Sequence, residues 1–217
     1  MQLAAGGEDD RVLDVGCGDG EKTFFVAQQV GAAVGFDPGS ASVRSARKRY
    51  KKENLQFLVG QAEALCFADD SFDAVMFNES LHHVPDQSQL RALQEGRRVL
   101  RPGGKMLILE PVRGRGASGK ILKIFNEETE SSLSAIKAIE SAIGNGFRLT
   151  FKDEIRPLFS CSGLDELYAY CTASHPDEQW SDAYKKEIER RLDRCERHSN
   201  GDFLIDYFDT VWLLVKE

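Results

Sequence analysis

The sequence has little of several features that define specialised classes of protein. Its longest apolar runs, residues 106–109 and 211–215, are far too short to cross a bilayer. The five cysteines are odd in number and no two stand in a CxxC spacing, so neither a disulfide framework nor a metal site is predicted. Residues 1–10 lack the positive and apolar pattern of a leader peptide, and we therefore expect a cytoplasmic protein.

Positive charge is also scarce. There are 28 Lys and Arg against 35 Asp and Glu, which gives a net charge of −7. A dedicated nucleic-acid binder needs a basic face that releases counterions, so we expect neither nucleic acid nor a membrane as partner. The hydrophobic share of 41% and the charged share of 29% are typical of a soluble globular protein.

What the sequence does contain is a regular alternation of apolar strands and amphipathic helices in its first half. Strands are predicted at residues 11–15, 32–36, 55–59, 72–77 and 105–110, with helices at 21–29, 40–52 and 87–100. The helix at 40–52 is strongly basic. Such alternation indicates right-handed βαβ units and a parallel sheet whose ligands bind at the carboxyl ends of the strands.

The second half is less regular. We predict helical stretches within residues 112–160, a strand at 164–172, a charged helix at 181–198 and a strand at 203–215. The interpretation is a single domain over residues 1–217. Within it, residues 1–111 bind a cofactor, residues 112–200 supply an insert or lid and the substrate-side elements, and residues 203–216 form the closing strand.

A loop rich in glycine and acid follows the first predicted strand. Residues 14–20 read DVGCGDG and lead directly into a helix, so the backbone can turn sharply and lie close to a ligand. A dinucleotide fingerprint would need a third glycine at position 21, which is Glu21. A pyrophosphate would meet Asp14, Asp19 and Glu21, whereas a cationic ligand is favoured by these carboxylates.

On these residues the sequence resembles the class I methyltransferases, whose E/D-x-G-x-G-x-G motif is similar to residues 14–20. The resemblance extends over residues 11–111 and includes Asp37 after the second strand, residues 60–67 and the FDAVMFN and LHH stretches at 72–83. It implies a Rossmann-like α/β fold: a seven-stranded, mostly parallel sheet with helices on both faces and the last strand antiparallel. Two positions depart from the family pattern, since Gln61 replaces an Asp and Cys66 replaces a Pro.

The resemblance further implies S-adenosylmethionine as cofactor and S-adenosylhomocysteine as product. Asp37 would accept hydrogen bonds from the ribose hydroxyls, the glycine loop would lie against the methionine part, and residues 61–63 would hold the adenine. The expected cofactor-binding residues are Asp14, Gly16, Cys17, Gly18, Gly20, Phe36, Asp37, Pro38, Gln61, Ala62, Glu63 and Asn78.

His82 and His83 are the candidate catalytic residues. One of them could face the substrate as a base, while the other packs or caps. Because they are adjacent in sequence, their side chains are expected to diverge, which argues against a metal site made of both.

The predicted function is transfer of the methyl group to an O, N, S or C nucleophile of a small molecule. One alternative is a non-catalytic S-adenosylmethionine-binding protein, and another is a nicotinamide-dependent oxidoreductase. The acceptor is not specified by the sequence, which also leaves open whether the protein is a homodimer.

Overall fold

The computed structural model describes residues 7–121, 129–174 and 179–217. The chain divides into two compact units. Unit 1 comprises Met1–Glu110, Glu130–Asp153 and Thr210–Glu217, and unit 2 comprises Pro111–Thr129 and Glu154–Asp209. No helix in the described ranges is both long and apolar enough to span a membrane.

A seven-stranded sheet, almost all of it in unit 1, is the main element of the fold. Its strand order is β3-β2-β1-β4-β5-β9-β6. The strands are β1 (Arg11–Val15), β2 (Ala32–Asp37), β3 (Leu55–Val59), β4 (Phe72–Asn78), β5 (Leu100–Pro111), β6 (Phe147–Ile155) and β9 (Asp209–Lys216).

The first five strands of this sheet are parallel, and β1 pairs with both β2 and β4. The last strand runs in the opposite direction. Glu217 N donates to Gly146 O at 3.1 Å, and Thr150 Oγ1 donates to Leu213 O at 2.9 Å. The end of β9 therefore lies beside the start of β6, so these two strands are antiparallel. The predicted fold class, including the antiparallel last strand, is confirmed.

Helices cover both faces of the sheet because the strand side chains alternate between two cores. Leu13 and Val15 pack with α3 (Asp86–Val99) and α5 (Thr129–Ala142) in one core. Val12 packs with α1 (Glu21–Val26) and α2 (Ser40–Arg49) in the other. This two-fold alternation follows from the pleat of a strand.

Unit 2 has a small core of its own. It contains α4 (Gly116–Ile121), α6 (Leu164–Ser174) and α7 (Asp182–Leu192). It also contains a two-stranded antiparallel sheet of β7 (Leu158–Cys161) and β8 (Phe203–Asp206). The buried residues of this core are Cys161, Leu167, Cys171, Trp180, Ile188, Leu192, Phe203 and Ile205.

The structure corrects three predictions in the second half. Residues 164–172 are helical, with Leu167 and Cys171 buried four residues apart. Residues 203–215 contain two strands in different sheets rather than one closing strand. A strand, β6, occupies part of the region predicted to be helical. Phe147, Leu149 and Phe151 alternate with polar residues there, a short strand pattern that the prediction overlooked. Part of the predicted lid, residues 122–128, lies outside the described residues.

Candidate active site

The glycine loop between β1 and α1 adopts conformations that favour glycine. Gly16, Gly18 and Gly20 have φ of +79°, +53° and +84°. A Cβ on Gly16 would lie 2.4 Å from the Cβ of Ser80, so that glycine allows the loop after β4 to approach β1. A Cβ on Gly18 would meet no atom within 4 Å, so open space lies beside the backbone where a ligand is expected.

Asp37 joins the glycine loop to the end of β2. Its Oδ2 accepts from Gly18 N at 2.9 Å and its Oδ1 accepts from Gly39 N at 2.7 Å. Two backbone donors therefore fix the carboxylate plane, while the second lone pair on each oxygen is still able to accept from a diol. This geometry fits a ribose whose two hydroxyls donate to one carboxylate.

Asp14 is buried in β1 and is directed to α1. Its Oδ2 accepts from Thr23 Oγ1 at 2.6 Å, and only 2% of the residue is exposed. Burial raises its pKa from 3.8 to about 6, an effect that the hydrogen bond from Thr23 partly offsets. Cys17, next to Asp14, has a raised pKa because it is buried and because carboxylates lie nearby, so its thiol stays protonated and carries no nucleophilic role.

The remaining predicted cofactor residues line the ends of β2, β3 and β4. Phe36 is buried, and its carbonyl accepts from Gly16 N at 2.7 Å. Ala62 is buried, while Gln61 and Pro38 are exposed. Two further residues, Glu63 and Asn78, are half-buried. The structure thus brings the glycine loop and Asp37 into direct contact.

His82 lies in a 3-10 turn (Leu81–His83) after β4 and is buried against Glu110. Its Nδ1 is 2.7 Å from Glu110 Oε2, and the two side chains are 3% and 0% exposed. Glu110 Oε1 accepts from Leu81 N at 3.0 Å. When Glu110 is ionised its carboxylate accepts from Nδ1, and a neutral ring then has its lone pair on Nε2.

His83 is exposed, and its ring centroid lies 4.1 Å from that of His82. The expectation that the two side chains diverge was therefore wrong: the 3-10 turn sets the rings against each other. Within the described residues no group of three or more His, Cys, Asp or Glu side chains could hold a metal ion.

Three residues of this site were missed by the sequence reasoning. Ser80 Oγ donates to Val15 O at 2.6 Å and ties the loop after β4 to the end of β1. Glu110 ends β5, and Thr23 lies in α1. The sequence feature that could have indicated Glu110 is a single carboxylate directly after the apolar run at residues 106–109. Its partner could not be read, because only the pairing of β4 with β5 brings the ends of those strands together.

The comparisons with known proteins agree with this geometry. Residues 12–104 match the family model described as a methyltransferase domain. Methyltransferase GfsG of Streptomyces halstedii is 40% identical over 107 residues, which are 47% of this chain and 38% of that protein. Demethylmenaquinone methyltransferase of Lactococcus lactis subsp. lactis is 37% identical over 105 residues, which are 46% of this chain and 41% of that protein.

A geranyl diphosphate methyltransferase solved in complex with S-adenosylmethionine superposes with a TM-score of 0.60 at 18% identity, covering 99% of this chain and 80% of that one. That likeness concerns the fold. The chain matches less than half the length of the two curated relatives. Residues 12–104 are thus similar to the methyltransferase domain family, in agreement with the resemblance to class I methyltransferases.

Proposed function

We propose that this protein transfers the methyl group of S-adenosylmethionine to a nucleophile of a small molecule. The observation that carries the proposal is the direct hydrogen bond between the glycine loop and Asp37, Gly18 N to Oδ2 at 2.9 Å. It places an open backbone segment and a fixed carboxylate side by side at the carboxyl ends of β1 and β2. The strand order reverses between β1 and β4, and ligands bind at such a reversal.

The residues that hold the cofactor in this proposal are the glycine loop, Asp37 and residues 61–63. When bound, S-adenosylmethionine supplies a sulfonium methyl group that a nucleophile displaces in line, with the thioether as leaving group. Asp14 and Asp19 contribute negative charge near a cationic ligand. The same carboxylates disfavour the pyrophosphate of a nicotinamide cofactor.

The buried His82–Glu110 pair supports catalysis over mere binding. Where the acceptor is a hydroxyl or another group that must lose a proton, Nε2 of His82 takes that proton as the new bond to carbon forms. Glu110 holds the ring in the required tautomer and stabilises the resulting imidazolium through Nδ1. Glu110 is in this scheme a positioning residue, since it acts through His82.

A small molecule is the proposed acceptor. Two of the similar proteins act, by their names, on demethylmenaquinone and geranyl diphosphate, both small molecules. The prediction that residues 112–200 form a lid and supply substrate specificity stays a prediction.

The experiment that tests the proposal is calorimetric titration with S-adenosylmethionine, S-adenosylhomocysteine and NAD. The wild-type protein should bind the first two at micromolar Kd and NAD at least a hundredfold more weakly. Asp37→Asn keeps the shape of the side chain but removes its charge, and should weaken both sulfur ligands by roughly tenfold to a hundredfold, as expected for a charge-assisted hydrogen bond.

The matched control is Asp73→Asn, which changes another strand aspartate, at the amino end of β4 and so at the end of the sheet opposite to the candidate site. Asp73 begins β4, where its Oδ2 accepts from Arg11 N at 2.8 Å. This variant should bind both ligands as the wild type does. Preference for NAD, or equal losses in the two variants, would overturn the assignment of the site.

A further inference from the structure

A strongly basic surface lies next to the glycine loop, where Arg49 Nη1 is 3.5 Å from Asp19 Oδ2. Residues 44–52 contain six Lys and Arg and no Asp or Glu, on a chain whose net charge is −7. The rest of the chain therefore carries a net charge of −13. All six side chains are exposed. We call this the basic surface; its members are Arg44, Arg47, Lys48, Arg49, Lys51 and Lys52.

The basic surface borders an open groove of about 640 Å³. The groove runs from the end of α2 along the edge strand β3. Its apolar lining includes Leu55, Phe57 and Leu58. Its charged lining is formed by three cations, Arg47, Lys51 and Lys52, and one carboxylate, Glu53. An open groove of this kind buries little of a small ligand, which normally loses most of its surface to its pocket. A larger partner laid across it fits better.

The backbone of β3 beside the groove is already hydrogen-bonded on its outer side. Arg47 Nε donates to Phe57 O at 2.8 Å, and Leu55 N donates to Lys52 O at 3.1 Å. A partner that adds a strand to this edge would have to break these bonds. Recognition by side-chain charge is therefore favoured over strand addition.

Two cations of the surface are available for a partner. The side-chain ammonium groups of Lys48 and Lys51 make no hydrogen bond or ion pair within the described part of the chain. Arg44 and Lys48 are four residues apart in α2, one helical turn, and Lys51 follows two residues after the helix ends at Arg49. The spacing of Arg44 and Lys48 complements carboxylates placed one turn apart on a partner helix.

The neighbouring aromatic residues favour a protein over a nucleic acid. The ring of Tyr50 is stacked on Phe24 with centroids 4.7 Å apart, and the guanidinium of Arg49 lies 5.2 Å from its centroid. Both neighbours occupy the space in which a base would stack. Phe25, beside Phe24, is 52% exposed, and aromatic residues are enriched in protein interfaces.

We propose that the basic surface binds an acidic protein through a helix that carries carboxylates at i, i+4 spacing. The proposal is independent of methyl transfer. The probe is a fluorescein-labelled, alanine-based helical peptide with Glu at every fourth position, titrated with the full chain and followed by fluorescence anisotropy. A peptide with Lys at the same positions and a single-stranded oligouridine of equal charge are titrated in parallel.

The test variant combines Lys48→Glu with Lys51→Glu. Its matched control combines Lys105→Glu with Lys137→Glu, two exposed lysines of unit 1 outside this surface, with the same change in net charge. The test variant should lose at least tenfold in affinity for the Glu peptide, and the control less than threefold. Amide shifts in a ¹⁵N-labelled sample should concentrate at residues 44–58, and S-adenosylmethionine binding should be equal in all three proteins.

Three outcomes would overturn the proposal. The first is no binding of the Glu peptide by the wild type. The second is an equal loss in test and control variants, which would mean that only overall charge is sensed. The third is tighter binding of oligouridine than of the Glu peptide, which would assign the surface to nucleic acid.

Discussion

The two units of this molecule arrange their buried polar side chains differently. In unit 1, Asp14, Thr23, Ser80, His82 and Glu110 gather around the carboxyl ends of β1, β4 and β5. In unit 2, Ser118, Asp206 and Asp209 are buried, and Asp206 accepts from Ala117 N at 2.6 Å and from Arg156 Nε at 2.7 Å. The core of unit 2 around Cys161 and Cys171 is aliphatic and aromatic, and burial raises the pKa of both thiols. Burying polar groups costs free energy unless they are paired, so a cluster of them at the strand ends of unit 1, where ligands bind in such sheets, indicates function rather than stability.

The largest effect that would sharpen this comparison concerns His82. Once an acceptor that loses a proton has been found, His82→Gln should lower kcat by about 10²- to 10⁴-fold, because the amide cannot take that proton. Its affinity for S-adenosylmethionine should stay within threefold of the wild type. His83→Gln is the control and should retain most of kcat, since His83 is exposed whereas His82 is buried against Glu110. Similar losses in both variants would argue against a base at His82.

The next largest expected effect concerns the stability of the core of unit 2. Ile188 is fully buried in α7, so Ile188→Ala should destabilise this unit by about 2–4 kcal/mol. Hydrogen exchange should accelerate in α6 and α7 and stay unchanged in β1, β2 and β4. The neighbouring exposed residue provides the control, and Glu189→Ala should change exchange little. Equal acceleration in the central strands would show that the two units unfold as one.

The smallest effect depends on pH and concerns Asp14. Its pKa in the folded protein is about 6, above the ordinary 3.8, so the folded state holds the proton more tightly and stability from this group is lost as pH rises from 4 through 6. Asp14→Asn removes the buried charge while its amide oxygen still accepts from Thr23. The variant should be on the order of 2–3 kcal/mol more stable than the wild type at pH 8 and equal to it near pH 4.

Urea unfolding of both proteins at each pH would measure this difference. A gain of stability together with weaker binding of S-adenosylmethionine would show that the buried carboxylate is kept for its ligand. A variant less stable than the wild type at pH 8 would mean that the hydrogen bond with Thr23 outweighs the cost of burial.

The sequence alone determined the first five strands and the glycine loop. In that region apolar runs of five or six residues alternate with helices, and each strand is covered on both faces, so the pattern is strong and local. The acidic residue after β2 is readable for the same reason, because the length of a βαβ unit fixes its distance from the glycines. The direct contact between Gly18 and Asp37 follows from this spacing.

Only the tertiary structure decided the rest. β6 has only a short apolar alternation, Phe147, Leu149 and Phe151, and the last two are exposed in the structure. Residues 164–172 have strand-forming side chains but become a helix whose buried face spans one turn. Glu110 meets His82 because β5 pairs with β4, a choice of strand order that no local pattern records. Local sequence patterns predict the strands of a continuous buried sheet and the helices that cover it. Pairings between distant strands depend on how the whole sheet buries its surface, and these pairings placed the side chains of the candidate site.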